Sequence, residues 1–162
     1  MRRIALGLLA GILVAGVIAA PVAARRAGPT IVEAAIASTP GEFNTLVAAV
    51  VAADLVDTLN GNRQFTVFAP TDAAFAKLGL NAGNIATLDK ATLRSILKYH
   101  VTPGRRDAAS VVSSDSIKTL QGGRLDVTVN ASGAFVDDSK IIATDIKVAN
   151  GIIHVIDTVL LP

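Results

Sequence analysis

Residues 64–78 read QFTVFAPTDAAFAKL, and this stretch decides the fold. Phe65-Thr66-Val67-Phe68 has the β-branched and aromatic composition of a strand. Pro70 lacks an N–H and fixes its own φ, so the strand must stop there. Thr71 and Asp72 come next, and either side chain can accept a backbone N–H at the start of a helix over residues 73–78. A negative Asp72 also suits the positive end of that helix. Phe75 then returns the chain to a core. The stretch is a strand-to-helix corner, and capping explains Asp72 without any chemistry.

Towards the N-terminus the chain is alanine-rich with helical spacing. Residues 31–36, IVEAAI, follow Pro29-Thr30 as a short helix that Pro40-Gly41 breaks. Phe43, Leu46, Val47, Val50 and Val51 recur as one apolar helical face. Residues 54–59 give a further turn of helix, ended by Asn60-Gly61-Asn62. Beyond the corner, Asp89 caps a helix in which Leu93, Ile96, Leu97 and His100 fall at i, i+3, i+4 and i+7. His100 thus lies on the apolar face, with Tyr99 beside it near the helix end, and Pro103-Gly104 stops the helix. A buried imidazole needs partners for its nitrogens, and Thr71 or Asp72 is expected to supply one.

From Ser116 onwards the sequence reads as hairpins. Leu125, Val127 and Val129 alternate with polar residues, Asn130-Ala131-Ser132-Gly133 turns into Ala134-Phe135-Val136, and Asp137-Asp138-Ser139 turns into residues 141–148. Asn150-Gly151 reads as a two-residue type I′ loop leading into residues 152–161. That loop would pair Ala149 with Ile152, Val148 with Ile153 and Ile146 with Val155. One face would bury Thr144, Ile146, Val148, Ile153, Val155 and Val159. The other, carrying Asp145, Lys147, His154 and Ile156, would be partly wet.

The first 24 residues, MRRIALGLLAGILVAGVIAAPVAA, look like a cleavable secretory signal: Arg2 and Arg3, an uncharged apolar run, then small residues at the cleavage positions. The rival reading is an uncleaved anchor, for which the run is short. The expected organisation is a signal over residues 1–24 and a single domain over 25–162, with its core from about residue 30. Of 15 Lys+Arg and 13 Asp+Glu in the whole chain, cleavage removes Arg2 and Arg3, leaving 13 of each sign. No basic stripe remains for nucleic acid, and no basic cluster for an anionic membrane. With no cysteine there is neither a disulfide framework nor a thiolate metal site. Five Phe, one Tyr and no Trp leave few aromatic platforms for stacking sugars or bases.

Catalytic signals are lacking. The chain has no G-x-S-x-G, no S-x-x-K with its companions and no H-E-x-x-H. His100 and His154 are its only histidines, so a zinc site would need carboxylates that the spacing does not supply. His154 lacks a second group and a pocket for acid–base work. Gly122-Gly123 is better read as a turn than as a phosphate loop. Asn130-Ala131-Ser132 matches a glycosylation sequon in an exposed turn. No cofactor, metal or catalytic residue is expected.

These residues resemble the fasciclin-like domain family. Its first block is similar to Thr66-Val67-Phe68-Ala69-Pro70-Thr71-Asp72-Ala73-Ala74-Phe75, and its central Tyr-His pair to Tyr99-His100 within LKYHVTPG. Its last block is similar to residues 149–157, ANGIIHVID, with Gly151, His154 and Asp157 in place and VLLP closing the domain. The three blocks stand in order at family spacing. The resemblance implies an α+β fold, a compact β-wedge or sandwich of antiparallel strands with several short helices packed around one side. Thr66, Phe68, Pro70, Thr71, Asp72, Phe75, Gly151, His154 and Asp157 are its structural motif residues.

The resemblance also implies a secreted, periplasmic or extracellular protein, similar to single-domain bacterial members, that serves adhesion or matrix association without catalysis. In animal members integrin contacts have been attributed to an Asp-Ile pair upstream of the last block and to the Tyr-His region. Asp145-Ile146 stands at the matching place, preceded by Ala143-Thr144 where the animal motif has Asn-Lys. The candidate partner-binding residues are therefore Asp145, Ile146, Lys147, Tyr99 and His100. The expected partner is a cell-surface or matrix protein or polysaccharide, with no nucleic acid and no stable membrane insertion after cleavage. The alternative is a binder of an apolar small ligand, lipid or carotenoid-like, in the cell envelope.

Overall fold

The computed structural model describes residues 28–37 and 42–162, so the signal segment and the Pro40-Gly41 break lie outside the described residues. The helices are α1 (Ile31–Ala37), α2 (Asn44–Ala52), α3 (Val56–Asn60), α4 (Asp72–Ala76), α5 (Lys90–Tyr99) and α6 (Ala108–Val112), with a 3-10 turn at Ile85–Thr87. The strands are β1 (Phe65–Pro70), β2 (Val101–Pro103), β3 (Ser116–Lys118), β4 (Arg124–Asn130), β5 (Gly133–Val136), β6 (Ser139–Val148) and β7 (Gly151–Ile156). They form one seven-stranded sheet in the order β2-β1-β7-β6-β5-β4-β3.

The expected all-antiparallel pairing fails at one place. β1 runs parallel to β7, from Phe65 opposite Gly151 to Pro70 opposite Ile156. This places the two motif strands side by side as the second and third of the sheet, and every residue of both is buried. Alternation sends their side chains to two separate cores. Phe65, Val67, Ala69, Ile153 and Val155 face the helical side, with Phe75, Leu46 and Leu97. Phe68 and Ile156 face the other side, with Tyr99, Val111, Ile117, Leu125, Val136 and Leu160. A strand covered on both faces reads as a continuous apolar run, as parallel pairs usually do. His154 and Ile156, expected on a wet face, are therefore fully buried.

The β6–β7 register also differs from the expected one. Val148 opposes Gly151, Lys147 opposes Ile152 and Ile146 opposes Ile153, so the loop is Ala149-Asn150. The pairing then shifts twice, between Ile141 and Ala143 and between Ala143 and Ile146, and Asp145 takes φ 58° inside this irregularity. Thr144 and Ile146, expected inside, are exposed, Ile146 by 38%. On α2 the buried set is Thr45, Leu46, Ala49 and Val50, while Val51 is 57% exposed.

Candidate functional site

The strand-to-helix corner is built as expected, with one change of role. Thr71 is the N-cap of α4 and accepts Ala74 N–H at 3.2 Å. Asp72 instead caps a different helix. Its carboxylate accepts Thr45 N–H at 2.7 Å and Asn44 N–H at 3.3 Å, while Phe43 at the N-cap of α2 offers no side-chain acceptor. Asp72 N–H in turn donates to Glu42 O at 2.8 Å. The negative charge thus sits at the positive ends of two helices and locks them together.

Neither Thr71 nor Asp72 reaches His100. The imidazole Nδ1 lies 2.8 Å from Ile96 O, one turn back on α5, and Nε2 accepts Leu160 N–H at 2.9 Å. Nδ1 therefore carries the proton and Nε2 the lone pair. Burial pushes His100 down to about 4, against a weaker upward pull from the Ile96 carbonyl. Tyr99 points the other way, into the second core. Its hydroxyl lies 2.9 Å from Arg124 O and 3.1 Å from Asp137 Oδ2. Burial first, then the Asp137 charge, raises the Tyr99 phenol above its usual value. Both residues are buried, so neither offers a surface to a partner; they pin the end of α5 to the C-terminal segment and to β4–β5.

The segment between β2 and α6 forms a strap across β1 and β7. Thr66 Oγ1 on β1 donates to Gly104 O at 2.9 Å and accepts Arg106 N–H at 2.8 Å. His154 on β7 donates from Nε2 to Arg106 O at 2.9 Å. Its ring stacks on Phe68, with centroids 5.6 Å apart. On β6, Asp145 N–H points at His154 Nδ1 at 3.4 Å, and Asp145 Oδ1 accepts Ala108 N–H at 2.8 Å at the start of α6. Asp107 caps the same helix through Ser110 N–H at 2.8 Å, and hydrogen bonding from the Ser110 side chain first, then from this N–H, holds its carboxyl below the usual range. His154 is thus a buried cross-brace, and Asp145 joins the β6 irregularity to α6 while remaining exposed. Asp157 ends β7 by accepting Lys140 N–H at 3.0 Å.

The Asn150-Gly151 pair has a function that its turn-like appearance hides. Asn150 is fully buried: Oδ1 accepts Ile31 N–H at 2.9 Å and Nδ2 donates to Leu59 O, tying α1 and α3 to the β6–β7 loop. A Cβ on Gly151 would meet Phe65 O at 1.9 Å, so only glycine lets β1 approach β7 here. The sequence signal was present but ambiguous, since the same dipeptide marks a type I′ hairpin.

The structure brings Asp145, Ile146 and Lys147 together on the exposed stretch of β6, residues 142–147, and separates them from Tyr99 and His100. β5 reaches β6 only at Ser139 and Lys140, so among the described residues the stretch 142–147 has no second strand partner. Ile142, 53% exposed, adds to the apolar character of this edge. A further feature is an apolar cleft between α1, α2, α3 and α5, among the Ala- and Val-rich helices that the apolar-ligand alternative requires as a lining. Val32, Val47, Leu59 and Leu97 are among its walls. Among the described residues no cluster of His, Asp or Glu is placed to hold a metal. Among them, too, no helix is long and apolar enough to cross a membrane.

Known proteins share this arrangement. The fasciclin domain model matches residues 41–162. Protein sll1483 of Synechocystis sp. is 44% identical over 144 residues, which cover 86% of this chain and 77% of that protein. Immunogenic protein MPB70 of Mycobacterium bovis is 38% identical over 134 residues, 80% of this chain and 68% of MPB70. Among solved structures, a domain pair from the insect cell adhesion molecule Fasciclin I superposes with a TM-score of 0.69 at 23% identity. The match covers 83% of this chain and 51% of that one, so this chain spans about half of it, and the likeness is one of fold. With the Thr71-Asp72 corner, the Tyr99-His100 pin and the Asn150-Gly151 crossing on one scaffold, and a family model matched over most of its length, the chain belongs to the fasciclin domain family.

Proposed function

We propose that this chain is an extracellular, non-catalytic binding module for cell adhesion or for association with matrix or envelope. The observation that carries the reading is the exposed, singly paired stretch of β6 at residues 142–147. It combines the apolar Ile142 and Ile146 with the charges of Asp145 and Lys147, the mixture of anchor and polar rim that protein interfaces use. Membership of a family whose solved relative is a cell adhesion molecule supports the same reading. In this account residues 1–24 direct export and residues 25–162 form the working domain. The partner is a cell-surface or matrix protein or polysaccharide. Purified protein should bind intact cells or extracted envelope polysaccharide saturably. Absence of saturable binding to both would remove the adhesion reading.

The cleft favours a second reading, an apolar small ligand held in the cell envelope. Its walls are hydrophobic and its polar members few, as in small-molecule sites. Organic extraction of protein purified from its host should then release a lipid or pigment in fixed ratio to protein; a clean extract counts against it.

A further inference from the structure

We propose that the strap between β2 and α6 and its neighbours present a group of unpaired cations, Arg63, Arg105, Arg106 and Lys147, to an acidic, carboxylate-bearing polysaccharide. The proposal rests on the adhesion reading and gives its partner a chemical class. Arg63 and Arg105 are far apart in the sequence, and the fold brings them together. The last bond of the β1–β2 ladder runs from Gly104 N–H to Gln64 O at 2.9 Å, and Arg63 and Arg105 adjoin it on the two chains. Their Cα atoms lie within ~13 Å, one paired distance of ~5.5 Å and a residue of ~3.8 Å at each end. Arg106 follows on the strap, and Lys147 stands on the same face of the sheet. Lys147 opposes Ile152, Ile152 opposes Thr66, and Thr66 Oγ1 accepts Arg106 N–H. Two strand spacings, ~10 Å, separate Lys147 from Thr66.

The strap is fixed by the sheet itself. Thr66 Oγ1 donates to Gly104 O at 2.9 Å, and His154 Nε2 donates to Arg106 O at 2.9 Å. Both side chains are fully buried, and together they hold the backbone on either side of Arg105. A charge carried on a fixed backbone loses less freedom on binding. Arg63, Arg105 and Lys147 are exposed and Arg106 is partly so. None of the four makes an ion pair among the described residues. Asp107 and Asp145 stand beside them, but each carboxylate already accepts a backbone N–H of α6, from Ser110 and from Ala108. Three of the cations are arginines, whose planar fork matches a carboxylate with two bonds at once. Phe68, on the face that the strap crosses, is buried against His154, so it offers no ring for a base to stack on. Ile146, next to Lys147, opposes Ile153 on the other face, which takes away the apolar anchor that a protein interface or a lipid surface uses. An extended chain with a carboxylate on each sugar needs only spaced cations.

Isothermal titration of the purified protein with two polyuronates, polygalacturonate and alginate, and with neutral dextran tests this. At least one polyuronate should bind, dextran should not, and added salt should weaken the binding. Arg63→Gln/Arg105→Gln should weaken it about fivefold or more, as for two exposed ion pairs, with Tm unchanged. Lys140→Gln, a loss of charge near the other end of β6, should leave it as in the parent. Equal affinity in the parent and the arginine double variant, or an equal loss in Lys140→Gln, would overturn the assignment to these four residues. Duplex DNA or phosphatidylglycerol vesicles bound as tightly as the polyuronates would overturn the choice of a polysaccharide. Saturable binding to intact cells with none to either polyuronate would overturn the acidic partner and leave the adhesion reading standing; binding to neither cells nor polysaccharide would remove both.

Discussion

Acid should loosen this fold through one residue. His100 is buried and neutral, with Nε2 accepting the Leu160 N–H; a proton there would set two donors against each other. In the unfolded chain the imidazole titrates near its ordinary 6.5, whereas in the fold it titrates at about 4. Below pH 6.5 the unfolded state therefore takes up a proton that the folded state refuses, and the equilibrium moves towards unfolding. The stabilising contribution is complete above about 6.5, declines as pH falls, and is gone once pH passes about 4, where the folded ring is protonated too. The difference amounts to about 3 kcal/mol at ~1.4 kcal/mol for each pH unit of displacement. That is a large part of the ~5–15 kcal/mol that holds a domain together. Urea denaturation at half-unit steps from pH 7.5 to 4.5 would measure it. His100→Gln keeps a carbonyl acceptor for Leu160 N–H but cannot titrate, so the variant should lose the greater part of the slope in this window. Equal slopes in the parent and the variant would refute the account of His100.

Three further substitutions test the architecture. Gly151→Ala puts a Cβ 1.9 Å from Phe65 O, against backbone that cannot rotate away, and should cost about 3 kcal/mol or more or prevent folding, read as Tm and soluble yield. Asn150→Ala leaves Ile31 N–H and Leu59 C=O without partners and should cost about 1–3 kcal/mol for each, measured by denaturant titration. Asp72→Ala removes the cap of α2 and not of α4; it should cost about 1 kcal/mol and speed amide exchange at Asn44 and Thr45, leaving Ala74 protected by Thr71.

The sequence carried most of the local structure because its signals were local. Pro70 had to end a strand, Asp89 had to cap a helix and does so through Thr92 N–H at 3.1 Å, and the i, i+3, i+4 spacing of Leu93, Ile96, Leu97 and His100 had to form one face. What failed was whatever depended on a distant partner. His154 and Ile156 looked half-wet because a hairpin has one free face, and what covers that face comes from distant sequence: the Arg106 strap over His154 and Tyr99, Val111, Ile117, Leu125 and Val136 around Ile156. Asp72 looked like the cap of its own helix, and the backbone it serves is Asn44 and Thr45. Asn150-Gly151 has one dipeptide chemistry and two structural uses, and only the approach of Phe65 decides between them. The candidate surface was legible in part. Asp145, Ile146 and Lys147 are exposed together, but Tyr99 and His100, candidates through the family resemblance although helical spacing put His100 on the apolar face, are inside because the C-terminal segment and β4–β5 close over them. Asp145 also holds Ala108 N–H, so a substitution there disturbs α6 as well as any contact.

That double role makes Lys147 and Ile142 the cleaner probes of the central claim. Both side chains are exposed on the β6 edge. The most direct measurement is the Kd of purified protein for intact cells or envelope polysaccharide, parent against Ile142→Asn/Lys147→Glu, with Tm recorded for each. The account predicts saturable binding by the parent, a loss of about tenfold or more in the double variant, as for interface anchors worth over 1 kcal/mol, and no change in Tm. Binding that is equal in the two proteins would contradict it and take the β6 edge out of the adhesion surface.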